Sequence, residues 1–351
     1  MALDHHLFES GSATAADGRV AESSFRAWAR RLVRELAMQD WLVLGYLMTL
    51  ALAVATAEPA PNRVECLKES FGLLGFCAAV LVVVRGGLAR DRFFAPLGYR
   101  LAVYGTVQLS YFMLRDLLPV VNPGSLDQEL FELDLKWFGI EPALFFDRFV
   151  TPATTEWFAF FYYSYFFLLA VHVIPFIFVS RRLRLLAEFS FGMIFVYAIA
   201  HIGYMLVPGY GPYKHLASYF QNELPSGLWM DAVWAAVESG GAQKDIFPSL
   251  HTGGPVFISL FSFRHRDKLP FKYTWPITTF FAVNIVIATM FLRWHYLIDV
   301  IVGAALAVFG FWLTGRIAGP EHDRREAEGL QPVWSLFFDR TPIPETPQRA
   351  R

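Results

Sequence analysis

Residues 273–315 read YTWPITTFFAVNIVIATMFLRWHYLIDVIVGAALAVFGFWLTG. Arg293, Trp294 and His295 separate two apolar runs, 273–292 and 296–315. A helix needs ~20 mostly apolar residues to cross a hydrocarbon core, so this stretch predicts two crossings. The rest of the chain has the same bias. Of 351 residues, 55% are hydrophobic and 17% charged, and the mean hydropathy is +0.38, whereas a soluble domain carries about 25% charged residues. Further apolar runs lie at 41–58, 70–85, 98–117, 154–179, 186–207 and 250–264. The run 98–117 is the weakest, because Arg100, Arg115 and Asp116 trim its ends. The expected fold class is all-α, a polytopic membrane helical bundle with about eight transmembrane helices.

The basic residues test that count. Arg26, Arg30, Arg31 and Arg34 precede the first run, Arg85, Arg90 and Arg92 follow the second, and Arg181, Arg182 and Arg184 follow the fourth. Arg264, Arg266, Lys268 and Lys272 join the sixth to the seventh, and Arg316, Arg324 and Arg325 follow the eighth. All fall on one side of an eight-span arrangement, which the positive-inside rule makes cytoplasmic. Both termini are then expected in the cytoplasm, with the long loops 118–153 and 208–249 on the other face. Within those loops, 126–150 and 226–238 mix acids with Leu, Phe and Trp. Short amphipathic helices, lying in the interface or packed over the bundle mouth, are expected there.

The chain divides into a tail at 1–40, two extra helices at 41–97, a six-helix core at 98–316 and a second tail at 317–351. The segments before about Ser24 and after Gly319 are polar or Pro-rich and expected to be mobile. The first apolar stretch starts only near Trp41, and is expected to be a retained anchor rather than a cleaved leader. A net charge of −1 offers no field to recruit nucleic acid. Cys66 and Cys77 lack paired spacing, which argues against a disulfide framework or zinc knuckle.

Two polar stretches carry the candidate chemistry. Lys244-Asp245-Ile246-Phe247-Pro248-Ser249-Leu250-His251 leads into the sixth run, and its Pro and Ser form a helix-start signal. The free N–H groups of that first turn make a ready anion site, with His251 beside it. In the second, His295 and Asp299 stand four apart and share a helix face. An isolated carboxylate one turn into a membrane helix is costly and usually functional. Accepting one imidazole N–H fixes the tautomer and makes the other nitrogen a better nucleophile. Either stretch alone has a plainer reading, as a helix cap or an interhelical clasp. At one membrane face and one depth, the pair supplies a nucleophile and a general acid. No thiol or acid cluster converges on them to suggest a metal site, and no cofactor is implied.

Pro248-Ser249-Leu250-His251 and His295-Tyr296-Leu297-Ile298-Asp299 resemble the second and third signature motifs of the type-2 phosphatidic acid phosphatase superfamily. They are closest to its inositol phosphorylceramide synthase-like branch. Pro208-Gly209-Tyr210-Gly211-Pro212 resembles that branch's first motif, and Trp137 to Pro142 and Tyr162 to Phe166 are also similar to it. The resemblance covers roughly 120–315. It implies a six-helix core and a phosphohistidine on His295, with Asp299 orienting that ring. His251 would protonate the leaving group and then activate the acceptor. The phosphatase branch carries cations where this chain has Tyr204, Gly211 and Thr289. Lys214, Lys244 and Arg293 are the candidates to replace them, and Tyr213 and Ser249 complete the expected substrate-binding set.

The expected function is transfer of a phosphoryl head group from a phospholipid, such as a phosphatidylinositol-type donor, to a hydroxylated lipid such as a ceramide. The missing cations favour this over hydrolysis of phosphatidate or a polyprenyl diphosphate. A non-catalytic lipid binder is the third alternative. The expected location is an inner, plasma or Golgi-type membrane, with the site on the non-cytoplasmic face. His201 and His172 are expected to be structural, through hydrogen bonds between or within helices.

Overall fold

The computed structural model describes residues 25–338, except 90 and 241. All eight apolar runs fold as helix, so that most of their backbone amides find partners within their own segment. Helix α1 covers residues 25–35. It is followed by α2 (Met38–Thr56), α3 (Arg63–Arg85) and α4 (Phe94–Arg100), which passes through a π-turn into α5 (Thr106–Val121). Three helices then lead to the centre of the chain: α6 (Asp127–Phe138), α7 (Pro142–Phe146) and the long α8 (Pro152–Phe178). After α9 (Leu183–Leu206) come a short α10 (Pro212–His215) and α11 (Leu228–Gly240). The last four are α12 (Leu250–Arg264), α13 (Phe271–Phe291), α14 (Leu297–Leu313) and α15 (Gly319–Ala327). Among the described residues the only β-type pairing is an isolated parallel bridge between Gly209 and Asp245.

Among the described residues, six helices are long and apolar enough to cross a membrane: α2, α3, α8, α9, α13 and the continuous helix Leu297–Ala327. The chain is thus an all-α membrane bundle. The other two runs differ for identifiable reasons. The run through α4 and α5 carries Arg100, whose buried guanidinium donates to the carbonyls of Ile177 (2.7 Å) and Pro96 (3.0 Å). Helix α12 has only 15 residues, but it packs against α8, α9, α13 and α14 at the bundle centre. It meets neighbouring helices on several sides, and its length need not match a bilayer.

Both expected amphipathic segments are helical, as α6–α7 and α11, and both pack on the bundle: α6 against α14, α11 against α8. The segment after Gly319, expected to be a mobile tail, is instead docked as far as residue 338. Buried Arg85 donates to the carbonyls of Pro332 and Val333 (both 3.0 Å) and to Asp40 (2.8 Å). Arg325 donates to the carbonyls of Gln331 (2.8 Å) and Glu35 (2.7 Å), and Trp334 is only 1% exposed. Composition cannot reveal two guanidiniums that need carbonyl partners. The segment before Ser24 and residues 339–351 lie outside the described residues.

Candidate active site

The three motif-bearing segments meet at the end of the bundle opposite Arg85, and backbone hydrogen bonds join them. Gly209 N–H donates to the Lys244 carbonyl (3.3 Å), Tyr213 N–H to that of Arg293 (2.7 Å) and Ser249 N–H to that of Asp299 (3.1 Å). Ser249 caps α12, its hydroxyl accepting from Thr252 N–H at 3.2 Å. A Cβ on Gly303 would strike the Ser249 carbonyl, so a glycine there lets α14 press against the start of α12.

Helix α6 holds this end from the side. Asp127, Leu130 and Asp134, spaced i, i+3, i+7 on one face, are all buried. Asp134 accepts from the N–H groups of Leu297 (2.6 Å) and Ile298 (2.9 Å), closing the N-terminus of α14. Asp127 accepts from the N–H groups of Tyr210 and Gly211, both at 2.8 Å, and from the Tyr296 hydroxyl at 3.2 Å. Acids suit a helix start, where the backbone presents partial positive charge. Nearby Glu141 caps α7 through Ala143 N–H (3.0 Å). Burial, reinforced by the charge of Asp134, pushes the Glu141 carboxyl up to about 8.

His295 sits in the turn between α13 and α14. Its Nδ1 lies 3.4 Å from the Asp299 carboxylate, whose oxygen also accepts from Tyr296 N–H at 3.0 Å. Burial draws the imidazole down to about 4, against the opposing pull of the Asp245 carboxylate and the Ile246 backbone. The resting ring is therefore neutral, the form a nucleophile requires. His251 stands opposite, the two ring centroids 6.2 Å apart. Its ring stacks on Tyr162 (4.3 Å, 13°) and touches Tyr165 at 4.2 Å. This packing fixes the imidazole plane, while Nε2 has no hydrogen-bond partner among the described residues.

Both histidines line a cavity of about 870 Å³, together with Asp245, Tyr210, Tyr213 and Trp294. Its walls are α5, α8 and α11, and its rim includes the exposed side chains of Phe112, Phe166 and Phe167. Those residues lie within α5 and α8 rather than at helix ends, so the cavity opens sideways. Helix α11 bridges the opening. Glu156 of α8 accepts from its N–H groups at Trp229 and Met230 (both 3.0 Å). Arg115 of α5 donates to its Glu238 carbonyl at 3.1 Å. Each end of α11 thus meets the charge that suits its dipole.

Of the expected set, the structure brings together His251, His295, Asp299, Ser249 and Tyr213. It does not bring the three cations to the cavity lining. Arg293, held at φ 67°, pairs with Asp147 at 2.8 Å and donates to the Asn222 carbonyl. Lys244 donates to the carbonyls of Pro123 (2.8 Å) and Gly124 (2.9 Å). Lys214 lies over the Tyr210 ring at 3.5 Å. Nor does the backbone admit a cation at Gly211, where φ is +90° and a Cβ would strike the Trp294 carbonyl. His201 bonds Tyr46 (2.8 Å) and His172 its own helix at Leu168 (2.8 Å), as structural residues do. Sequence reasoning missed Asp127, Asp134 and Asp245. The first two left a signal in their seven-residue spacing, and the third stands within the stretch already quoted.

A family model described as the PAP2 superfamily matches residues 128–313, which include all three motif-bearing segments. No curated protein and no solved structure matches the chain. With more than half of its length covered by that model, the chain belongs to the PAP2 superfamily.

Proposed function

We propose that the protein transfers a phosphoryl head group between membrane lipids, with the site on the non-cytoplasmic face. Family membership supports lipid phosphatase or phosphotransferase chemistry in general. The observation that carries the finer reading is the sideways opening: His251 and His295 face one another in a cavity rimmed by Phe112, Phe166 and Phe167. A lipid can bring its phosphate to the histidines while its tails remain among the helices.

His295 Nε2 attacks phosphorus as the bond to the diacylglycerol oxygen breaks, and His251, protonated at this stage, gives that oxygen its proton. Asp299 holds the other ring nitrogen and stabilises the positive charge on the phosphorylated ring. The acceptor hydroxyl then attacks phosphorus, His251 takes its proton, and the phosphorus–nitrogen bond breaks. The first turn of α12 carries amides that no intrahelical carbonyl can satisfy, and these are suited to the phosphoryl oxygens. Hydrolysis of a phosphate monoester is the weaker reading: Tyr204, Gly211 and Thr289 stand where the phosphatase branch carries cations, and a dianion would lack them. The test is reconstitution with a radiolabelled phospholipid, with and without candidate acceptor lipids. Labelled acceptor lipid is the expected product. Free phosphate from a monoester, with no transfer to any acceptor, would make the protein a phosphatase.

A further inference from the structure

Three buried carboxyls stand together at the start of α14: Asp134 of α6, Glu141 at the head of α7 and Asp299 of α14 itself. Both oxygens of Asp134 accept amides of α14, from Leu297 (2.6 Å) and Ile298 (2.9 Å). Glu141 commits only Oε1 to a backbone bond, from Ala143 N–H at 3.0 Å. Its Oε2 is buried, meets no donor among the described residues, and lies in hydrogen-bonding contact with the Asp134 carboxyl. No ion pair joins either acid to a basic residue among the described residues. The other titratable group facing Glu141 is Tyr296, whose hydroxyl donates to Asp127 (3.2 Å), two turns back along α6.

Two buried carboxylates in contact repel strongly, and a proton shared between them relieves the repulsion. Placed on Asp134, that proton would weaken two amide bonds at the N-terminus of α14, where the backbone favours an anion. Placed on Glu141, it disturbs no bond and turns the orphan Oε2 into a donor. We infer that Glu141 is a positioning residue that holds this proton at neutral pH and donates it to Asp134, so that the pair fastens the start of α14, and with it His295 and Asp299. The value of about 8 to which burial pushes Glu141 agrees with that placement. The proton also limits the negative charge beside Asp299, the proposed counter-charge for the imidazolium. The link from the shared proton to turnover rests on the lipid-phosphoryl reading; the proton itself does not. Above the folded value Glu141 ionises, and the two acids repel one another beneath the α14 start.

The proton can be followed without any substrate. The full-length protein in detergent, as wild type, Glu141→Gln and Asp134→Asn, is compared by infrared difference spectroscopy at about pH 6 and about pH 9.5, on either side of the folded value. The wild type should lose a protonated-carboxyl band at the higher pH. Both variants should lack that component, because in each an amide N–H takes the place of the shared proton. A difference spectrum unchanged by Glu141→Gln would overturn the assignment, and one changed by Glu141→Gln but not by Asp134→Asn would overturn the sharing. Melting temperature supplies the sign. An unfolded glutamate loses its proton near about 4.3 and folded Glu141 near about 8, so its contribution to stability is lost as the pH rises through that window. Over that window the wild type should lose melting temperature relative to Glu141→Gln. Turnover of a p-nitrophenyl phosphodiester by the wild type should fall about tenfold per pH unit above about 8, and the ratio of Glu141→Gln to wild type should rise by the same factor. A flat ratio would confine the acid pair to stability and overturn the positioning role. The expected band with no turnover of any donor would sink the lipid-phosphoryl reading and leave the shared proton standing.

Discussion

Nδ1 of His295 lies 3.4 Å from the carboxylate of Asp299, four residues on, across the first turn of α14. The carboxylate is already engaged by Tyr296 N–H, so its position is set by the helix start, and on the proposed mechanism it orients the imidazole in turn. His295→Ala should abolish turnover and any trapped phosphoenzyme together. Asp299→Asn keeps the shape and should lower turnover by about 10²-fold or more, because the imidazolium loses its counter-charge. Acid-quenched labelling checks both, and a phosphoenzyme persisting in His295→Ala would move the nucleophile elsewhere.

His251 is expected to act on the leaving group. Its alanine variant should slow cleavage of a natural donor by ~10²–10⁴-fold. The loss should be much smaller for a p-nitrophenyl phosphodiester, whose phenolate departs without a proton. Equal losses on the two donors would leave His251 a binding residue only.

The depressed value of His295 has a definite sign. An unfolded histidine takes its proton near about 6.5, and folded His295 does so only at about 4. Between those values the unfolded chain binds more protons, so stability falls as the pH is lowered from 6.5 towards 4. Thermal unfolding in detergent should show that slope, reduced in His295→Gln. Above about 4 the folded His295 ring remains neutral, and, if it is the nucleophile proposed, single-turnover phosphoenzyme formation should show no His295 limb near pH 6.5.

Asp134 touches no reacting group in this arrangement, yet it holds the amides of Leu297 and Ile298. Asp134→Ala should destabilise the protein by about 1–2 kcal/mol, as loss of a helix cap does. Turnover should fall as well, because the α14 start carries His295 and Asp299. Asp134→Asn, which still accepts, should recover part of both. A lowered melting temperature with unchanged turnover would confine Asp134 to stability.

The proposed orientation predicts that a reporter fused after Arg351 reads cytoplasmic and a tag near exposed Ser218 non-cytoplasmic. Finding both on one side would overturn the eight-span arrangement and the placement of the site.

Much of this architecture was legible because bilayer length and helical spacing act locally on sequence. The eight apolar runs stand out as runs, and His295 and Asp299 are neighbours through one helical turn. What escaped depends on contacts over long separations. Arg293 looked available to phosphate because it adjoins His295, yet its partner Asp147 is 146 residues away. Asp134 reaches 163 residues forward to close α14, and no local pattern names the amides it serves. The docking of Trp334 was hidden in the same way, behind an apparently unremarkable polar tail.

The bridge formed by α11 bears on the fate of the proposed covalent intermediate. On the proposed mechanism, diacylglycerol leaves through the opening between α5 and α8, and the phosphorylated histidine waits for a second lipid along that path. Its lifetime then depends on how rarely water gets past a helix fastened at one end by Glu156 and at the other by Arg115. On that reading synthase and hydrolase become two ends of a single scale, with the fastening of one surface helix as the feature that would set where along it this protein falls.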